Sequence, residues 1–200
     1  EVEGRDRESY RILMDSSGTL SALLPETGEI LDPARLDELA IRLLFSYFTA
    51  IRYEDRVSAE EMPDLDVMMV PLGAGSEVAA AISVLKTVHP KIRVIAVQAE
   101  ASSAAYRSWQ GGEIVTAPNT TFAGGVATGT AYEIPFALYK KRLADFVLLT
   151  EEELYEGIAL AAHHTRNLTE GAGSACLRAA FKIRDRLAGK QVAIQMSGGN

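Results

Sequence analysis

From Asp64 onward, short apolar runs alternate with stretches patterned for helix. Val67 to Pro71 reads as a buried strand, Glu77 to Val88 as a helix and Arg93 to Gln98 as a second strand. Ser102 to Trp109 reads as a short helix closed by a Gly111–Gly112 turn. A polar, glycine-rich loop runs from Ala117 to Thr130 and leads into helix from Ala131 to Leu143. Asp145 to Thr150 is then strand, Glu151 to Thr165 and Gly171 to Leu187 are helices, and Gln191 to Met196 is a last strand before Ser197. Short apolar runs of this kind suit strands buried on both faces. Their alternation with helices predicts an α/β fold with a largely parallel sheet and flanking helices. Thr150 is placed to cap the helix that follows. Glu153 holds the reciprocal position of a capping box, and three glutamates face the positive end of the helix dipole.

Residues 1–60 read differently and form an N-terminal segment of unclear relation to the α/β domain at 61–200. They carry a charged run (Glu1 to Glu8), turn-rich stretches (Asp15 to Gly18, Pro25 to Gly28) and one helix from Asp32-Pro33 to about Tyr47. Asp suits the N-cap of that helix and Pro its first turn. The net charge of −7 disfavours nucleic acid or an anionic membrane as partner, since both need a basic face. The lone Cys176 excludes an internal disulfide framework and a multi-cysteine metal site. No apolar run is long enough to span a bilayer, and no signal-like run opens the sequence, so a cytoplasmic protein is expected. The triplets beginning at Asn119 and Asn167 match a glycosylation pattern only by chance on this reading.

Gly73 and Gly75 sit between a strand and a helix. Successive N–H groups there can form an anion nest aided by the helix dipole, with the Ser76 hydroxyl as a further donor. The same pair also suits a tight turn with no ligand. A dinucleotide fingerprint is incomplete, because Val78 occupies its third glycine position and only Glu100 offers a ribose contact.

Six stretches in one order carry more weight: "PDLDVMMVPLGAGS", "IRVIAVQAEASSAAYRSW", "TFAGGVATGTAYEIPF", "DFVLLTEEEL", "HTRNLTEGAGSA" and "LAGKQVAIQMSGGN". Over roughly residues 60–200 the chain resembles the C-terminal half of the fold-type II pyridoxal-phosphate enzymes, nearest the threonine/serine dehydratases and serine racemases. The resemblance implies a cofactor-binding domain at 61–200. Gly73, Ala74, Gly75 and Ser76 would cradle the cofactor phosphate, although many members have four glycines there. Ser197 would meet the pyridine nitrogen; a neutral hydroxyl leaves that nitrogen unprotonated, which suits β-elimination. Gly125 would lie beside the cofactor. Glu170 matches a carboxylate near the ring and equally suits a helix N-terminal acid. The implied activity is a pyridoxal 5'-phosphate-dependent ammonia-lyase that takes water from a β-hydroxy amino acid, giving a 2-oxo acid and ammonia. A homodimer is expected. A racemase, or a non-catalytic module that kept the fold, is the alternative.

The chain departs from the family at several positions. Gln98 and Ala104 stand where relatives often place the acids of a divalent-cation site. Neither is a good hard-cation ligand, so no metal is expected even with Glu100 nearby. Gly124 replaces an acid in "FAGG". The segment bearing the Schiff-base lysine is not found, and Lys86, Lys91, Lys140, Lys141, Lys182 and Lys190 all lack its motif, so the catalytic residues are unassigned. The break inside "SGGN" leads us to expect an incomplete record of a longer enzyme. His163 and His164 read as helix-face residues without metal spacing, His89 as a solvated turn residue, Tyr106 and Trp109 as packing, and Cys176 as buried filler.

Overall fold

A computed structural model describes residues 2–3, 9–14, 20–23 and 64–198, within two compact units, Glu1–Arg52 and Tyr53–Asn200. In the first, strands β1 (Val2–Glu3), β2 (Ser9–Met14) and β3 (Leu20–Leu23) form an antiparallel sheet in that order, with Val2 opposite Tyr10 and Arg11 opposite Leu23. The turn-rich stretch from Asp15 to Gly18 falls between β2 and β3. The sequence reading did not foresee these short strands. The helix expected from Asp32 lies outside the described residues.

The second unit carries strands β4 (Val67–Pro71), β5 (Arg93–Ala99), β6 (Asp145–Leu149) and β7 (Val192–Ile194). They form one parallel sheet in the order β6-β5-β4-β7. The expected α/β architecture is therefore present. All five residues of β4 are buried, because both sheet faces are covered. Its side chains alternate: Met68 and Val70 join one apolar cluster, Val67 and Met69 the other. Helices α1 (Ser76–Val88), α2 (Ala104–Gly111) and α3 (Glu133–Tyr139) supply the first cluster with residues such as Ile82, Ala105 and Phe136. Helices α4 (Glu151–Thr165) and α5 (Gly171–Lys182) supply the second with Leu154, Ala175 and Cys176. A short α6 (Arg184–Leu187) follows.

Several boundaries moved. The expected helix from Ser102 is split into a 3-10 turn (Glu100–Ser102) and α2, which ends at left-handed Gly112. The expected helix from Ala131 to Leu143 is trimmed to α3. The last helix breaks at Ile183, whose φ and ψ of −108° and 18° leave the helical region. The last strand covers only Val192–Ile194. The Thr150 capping box is complete: Glu153 N–H donates to Thr150 Oγ1 (3.3 Å) and Thr150 N–H to Glu153 Oε2 (3.0 Å).

Glu153 also ties α4 to α5 through Lys182 (2.6 Å) and Arg178 (3.1 Å). Burial pushes its carboxyl up, but hydrogen bonds from Lys182 and the Thr150 N–H, with the Lys182 and Arg178 charges, outweigh this and hold it below its ordinary value. Gly157 lets the two helices approach, since a Cβ there would stand 3.1 Å from Ser174 Oγ.

The chain lays β4, β5 and β6 in one direction, then returns to place β7 on the other side of β4. Parallel sheets bind ligands in the crevice beyond the strands' carboxyl ends, at such a reversal.

Candidate active site

Strand β4 leaves the sheet at Pro71, and Leu72 N–H still donates to Val97 O (2.7 Å). Gly73, Ala74 and Gly75 then turn the chain into α1. Gly75 is the N-cap with φ of 90°, a left-handed conformation that suits glycine. Pro135 and Tyr139 of α3 bury it: a Cβ would meet each at 3.1 Å. No side chain caps α1, so the first-turn N–H groups depend on backbone, solvent or ligand. Ala74 is exposed and Ser76 half-buried.

Gly73 is pressed against Gly125. A Cβ on Gly73 would collide with the Gly125 carbonyl oxygen and sit 3.2 Å from its carbon. Gly125 belongs to a 3-10 turn, Gly124–Val126, whose loop is fixed at several points. Ser102 Oγ accepts from the N–H groups of Thr120 and Thr121 (both 3.1 Å), and Glu151 Oε2 accepts from Phe122 N–H (3.0 Å). On its other side, a Cβ at Gly125 would lie 2.7 Å from Ala172 Cβ and 3.5 Å from Glu170 Oε1.

Glu170 opens α5 but its carboxylate makes no capping bond. Its Oε1 faces Gly125 and Gly198, where a Cβ would stand 2.8 Å away. Its N–H donates to Gly198 O (3.1 Å). Gly173 admits the same loop, since a Cβ there would collide with Gly198 O. The segment after β7 thus lies on the first turn of α5, and half-buried Ser197 sits in it.

The structure therefore brings Gly73, Gly125, Glu170 and the Ser197–Gly198 segment together beyond the β4 and β7 ends. Gly75 and Ser76 stand at the adjoining start of α1. Sequence reasoning missed Ala172, Gly173 and Gly198 as packing partners. The small-residue runs "EGAGSA" and "SGGN" were their signals. Gly124 is exposed, and a Cβ added to it would meet nothing within 4 Å.

The cradle fits a cofactor phosphate and a flat ring: two backbones approach with no side chain between them, and a helix start and a serine hydroxyl adjoin. The cation site does not fit. Gln98 is fully buried and neutral, and its Oε1 is engaged by Tyr106 N–H (3.1 Å). Ala104 is buried and Glu100 exposed. Among the described residues no group of three or more His, Cys, Asp or Glu is placed to hold a metal ion.

The other candidates lie elsewhere. His163 and His164 are exposed on α4, their rings 4.7 Å apart. His89 lines a cleft with Asp64, Asp66 and Lys91. Tyr106 and Trp109 pack with Phe146 (5.4 and 5.7 Å). Cys176 is wholly buried; burial pushes its thiol well up, and the Glu77 charge adds to this, so it is no nucleophile. Burial likewise raises the Tyr139 phenol. Among the described residues no helix is long and apolar enough to cross a membrane.

Residues 46–198 match the family model described as pyridoxal-phosphate dependent enzyme. An L-threonine ammonia-lyase of Geobacter sulfurreducens is 35% identical over 143 residues, 70% of this chain and 35% of that protein. A catabolic L-threonine dehydratase of Escherichia coli is 29% identical, again over 70% of this chain but 44% of its own length. The chain thus spans less than half of these curated relatives. The crystal structure of the T.th. threonine deaminase superposes with a TM-score of 0.68 at 30% identity, covering 74% of this chain and 55% of that one. Serine racemase of Dictyostelium discoideum gives 0.69 at 26% identity, covering 75% and 48%. With more than half of its length matched by that family model, and with the glycine cradle at the sheet's reversal point, the chain belongs to the pyridoxal-phosphate dependent enzymes.

Proposed function

We propose that this chain forms the cofactor-binding half of an ammonia-lyase that removes water from a β-hydroxy amino acid and releases a 2-oxo acid and ammonia. The observation that carries this reading is the contact of Gly73 with Gly125, with Glu170 and Gly198 beside it at the carboxyl ends of β4 and β7. When bound, pyridoxal phosphate supplies an electron sink for the substrate's α-carbon. Gly73 to Ser76 hold the phosphate through backbone N–H groups, the α1 dipole and the Ser76 hydroxyl. Gly73 and Gly125 present backbone, so a planar ring can lie against them. Ser197 offers a neutral hydroxyl to the pyridine nitrogen. Glu170 fixes the Ser197–Gly198 segment through its N–H bond to Gly198 O (3.1 Å) and turns its carboxylate to the same place. A cytoplasmic homodimer acting on a small amino acid is part of this proposal.

Equilibrium dialysis of the chain against pyridoxal phosphate, with inorganic phosphate as competitor, tests the binding. The assembled enzyme, given L-threonine and L-serine, tests the chemistry: 2-oxo acid should form. Accumulation of the D-enantiomer without 2-oxo acid would assign racemisation instead, and no phosphate-competed binding would refute the cradle.

A further inference from the structure

Phe122 and Tyr155 are exposed (42% and 59%), yet their rings stack with 4.2 Å between centroids and 5° between planes. Neither ring belongs to the apolar clusters that cover the sheet. Tyr155 stands one helical turn after Glu151 on α4, so the two share a face. Glu151 Oε2 accepts from the Phe122 N–H (3.0 Å), and Tyr155 covers the Phe122 ring. The ring also meets the first turn of α5: a Cβ on Gly171 would stand 3.0 Å from its Cε2 and 3.1 Å from its Cζ. Phe122 is thus held by its backbone and by its ring.

We infer that Glu151 and Tyr155 are positioning residues for the cofactor: by clasping Phe122 they seat the Gly125 turn against Gly73, and so govern retention of the cofactor's ring. This rests on the cofactor-binding reading above. Gly125 follows Phe122 by three residues, and the chain between is wound tight. Ala123 N–H donates to Thr121 Oγ1 (3.2 Å), Val126 N–H to Ala123 O (3.0 Å) and Ala127 N–H to Gly124 O (3.1 Å). So short a turn has little slack, and a shift of Phe122 is passed to Gly125. Upstream, Ser102 Oγ holds Thr120 and Thr121, which leaves the approach to the turn to Phe122. The phosphate loop is carried by other elements: β4 leads into it, α1 follows it, and Pro135 and Tyr139 of α3 lie over Gly75. Loosening the clasp should therefore cost affinity for the ring and spare affinity for phosphate.

The test is equilibrium dialysis of the full chain against pyridoxal phosphate and, separately, against inorganic phosphate. Amide hydrogen exchange without cofactor is read alongside. Tyr155→Ala and Glu151→Ala should each weaken pyridoxal phosphate by about threefold to tenfold, the scale of one stacked pair or one hydrogen bond. Both should leave inorganic phosphate binding unchanged, and both should quicken exchange at Val126 and Ala127. Tyr155→Phe keeps the stacking face and Glu151→Gln keeps an acceptor for the Phe122 N–H, so these two should bind and exchange as the parent does. Parent-like cofactor binding by Tyr155→Ala, or an equal loss of both ligands, would overturn the inference while leaving the cofactor reading intact. Unchanged exchange at Val126 and Ala127 would overturn the clasp whether or not cofactor binds. Failure of the parent itself to retain pyridoxal phosphate would overturn the cofactor reading and this inference with it.

Discussion

Gly124 and Gly125 are neighbours in one 3-10 turn, yet adding a methyl group to each should have opposite effects. At Gly125 the new Cβ would stand 2.7 Å from Ala172 Cβ. Carbon atoms pack best at about 3.5–4.0 Å, so the two must part by roughly 1 Å. Ala172 Cβ is fixed to the first turn of α5, so the helix start has to move, and Glu170 with it. Overpacking of this kind costs about 1–3 kcal/mol. At about 2–4 °C per kcal/mol for a chain of this size, Gly125→Ala should lower the melting temperature by roughly 2–12 °C. At Gly124 nothing lies within 4 Å, and no left-handed φ opposes alanine. Gly124→Ala should be neutral or stabilise by up to about 1 kcal/mol through the unfolded chain. Thermal unfolding of both variants, alongside phosphate-competed cofactor dialysis, makes the comparison. In the background of Ala172→Gly, the penalty of Gly125→Ala should shrink, giving a measurable coupling in the double-mutant cycle. Equal melting temperatures for the two variants, or no coupling, would refute the close approach of the loop to α5.

Gly75→Val should abolish cofactor retention. It should also lower stability, because Gly75 is buried under Pro135 and Tyr139 with φ of 90°. Retention and melting temperature are therefore read together. Ser197→Ala should keep phosphate-dependent binding and slow turnover in the assembled enzyme, the lost bond being worth about 1 kcal/mol; unchanged turnover would remove Ser197 from the ring nitrogen. Mg²⁺ and Ca²⁺ should leave the melting temperature unchanged, since Gln98 Oε1 is already engaged by Tyr106 N–H; a calcium-dependent rise would overturn this. Glu153 has a depressed folded-state pKa, so its contribution is complete above the unfolded-state value and is lost as pH falls through the lower folded one. Glu153→Gln should therefore flatten the stability loss seen in urea titrations below about pH 4.

Much of the fold was legible because the buried strands are written as unbroken apolar runs. Val67 to Pro71 needs both faces covered, and two sets of helices cover them. The Thr150–Glu153 capping box was legible for a similar reason: its partners are three residues apart and local geometry decides them. The helix break at Ile183 was not, because the break lies in backbone angles at a residue whose side chain suits a helix face. The N-terminal strands were not legible, because their short length leaves no clear period. At the site, the cradle glycines stood out only with the help of family order, since a glycine pair alone equally marks a turn. Ala172, Gly173 and Gly198 were invisible as a group. Ala172 matters because the Gly125 turn lies against it. Gly173 and Gly198 matter because the segment after β7 lies on the first turn of α5, a contact that exists only once β7 has returned to the far side of β4. Glu170 shows the same dependence. By spacing it is a helix N-terminal acid, yet its carboxylate makes no capping bond and faces Gly125 and Gly198 instead. What decides its role is the arrival of Gly198 O at its N–H, a contact between positions 28 residues apart in sequence.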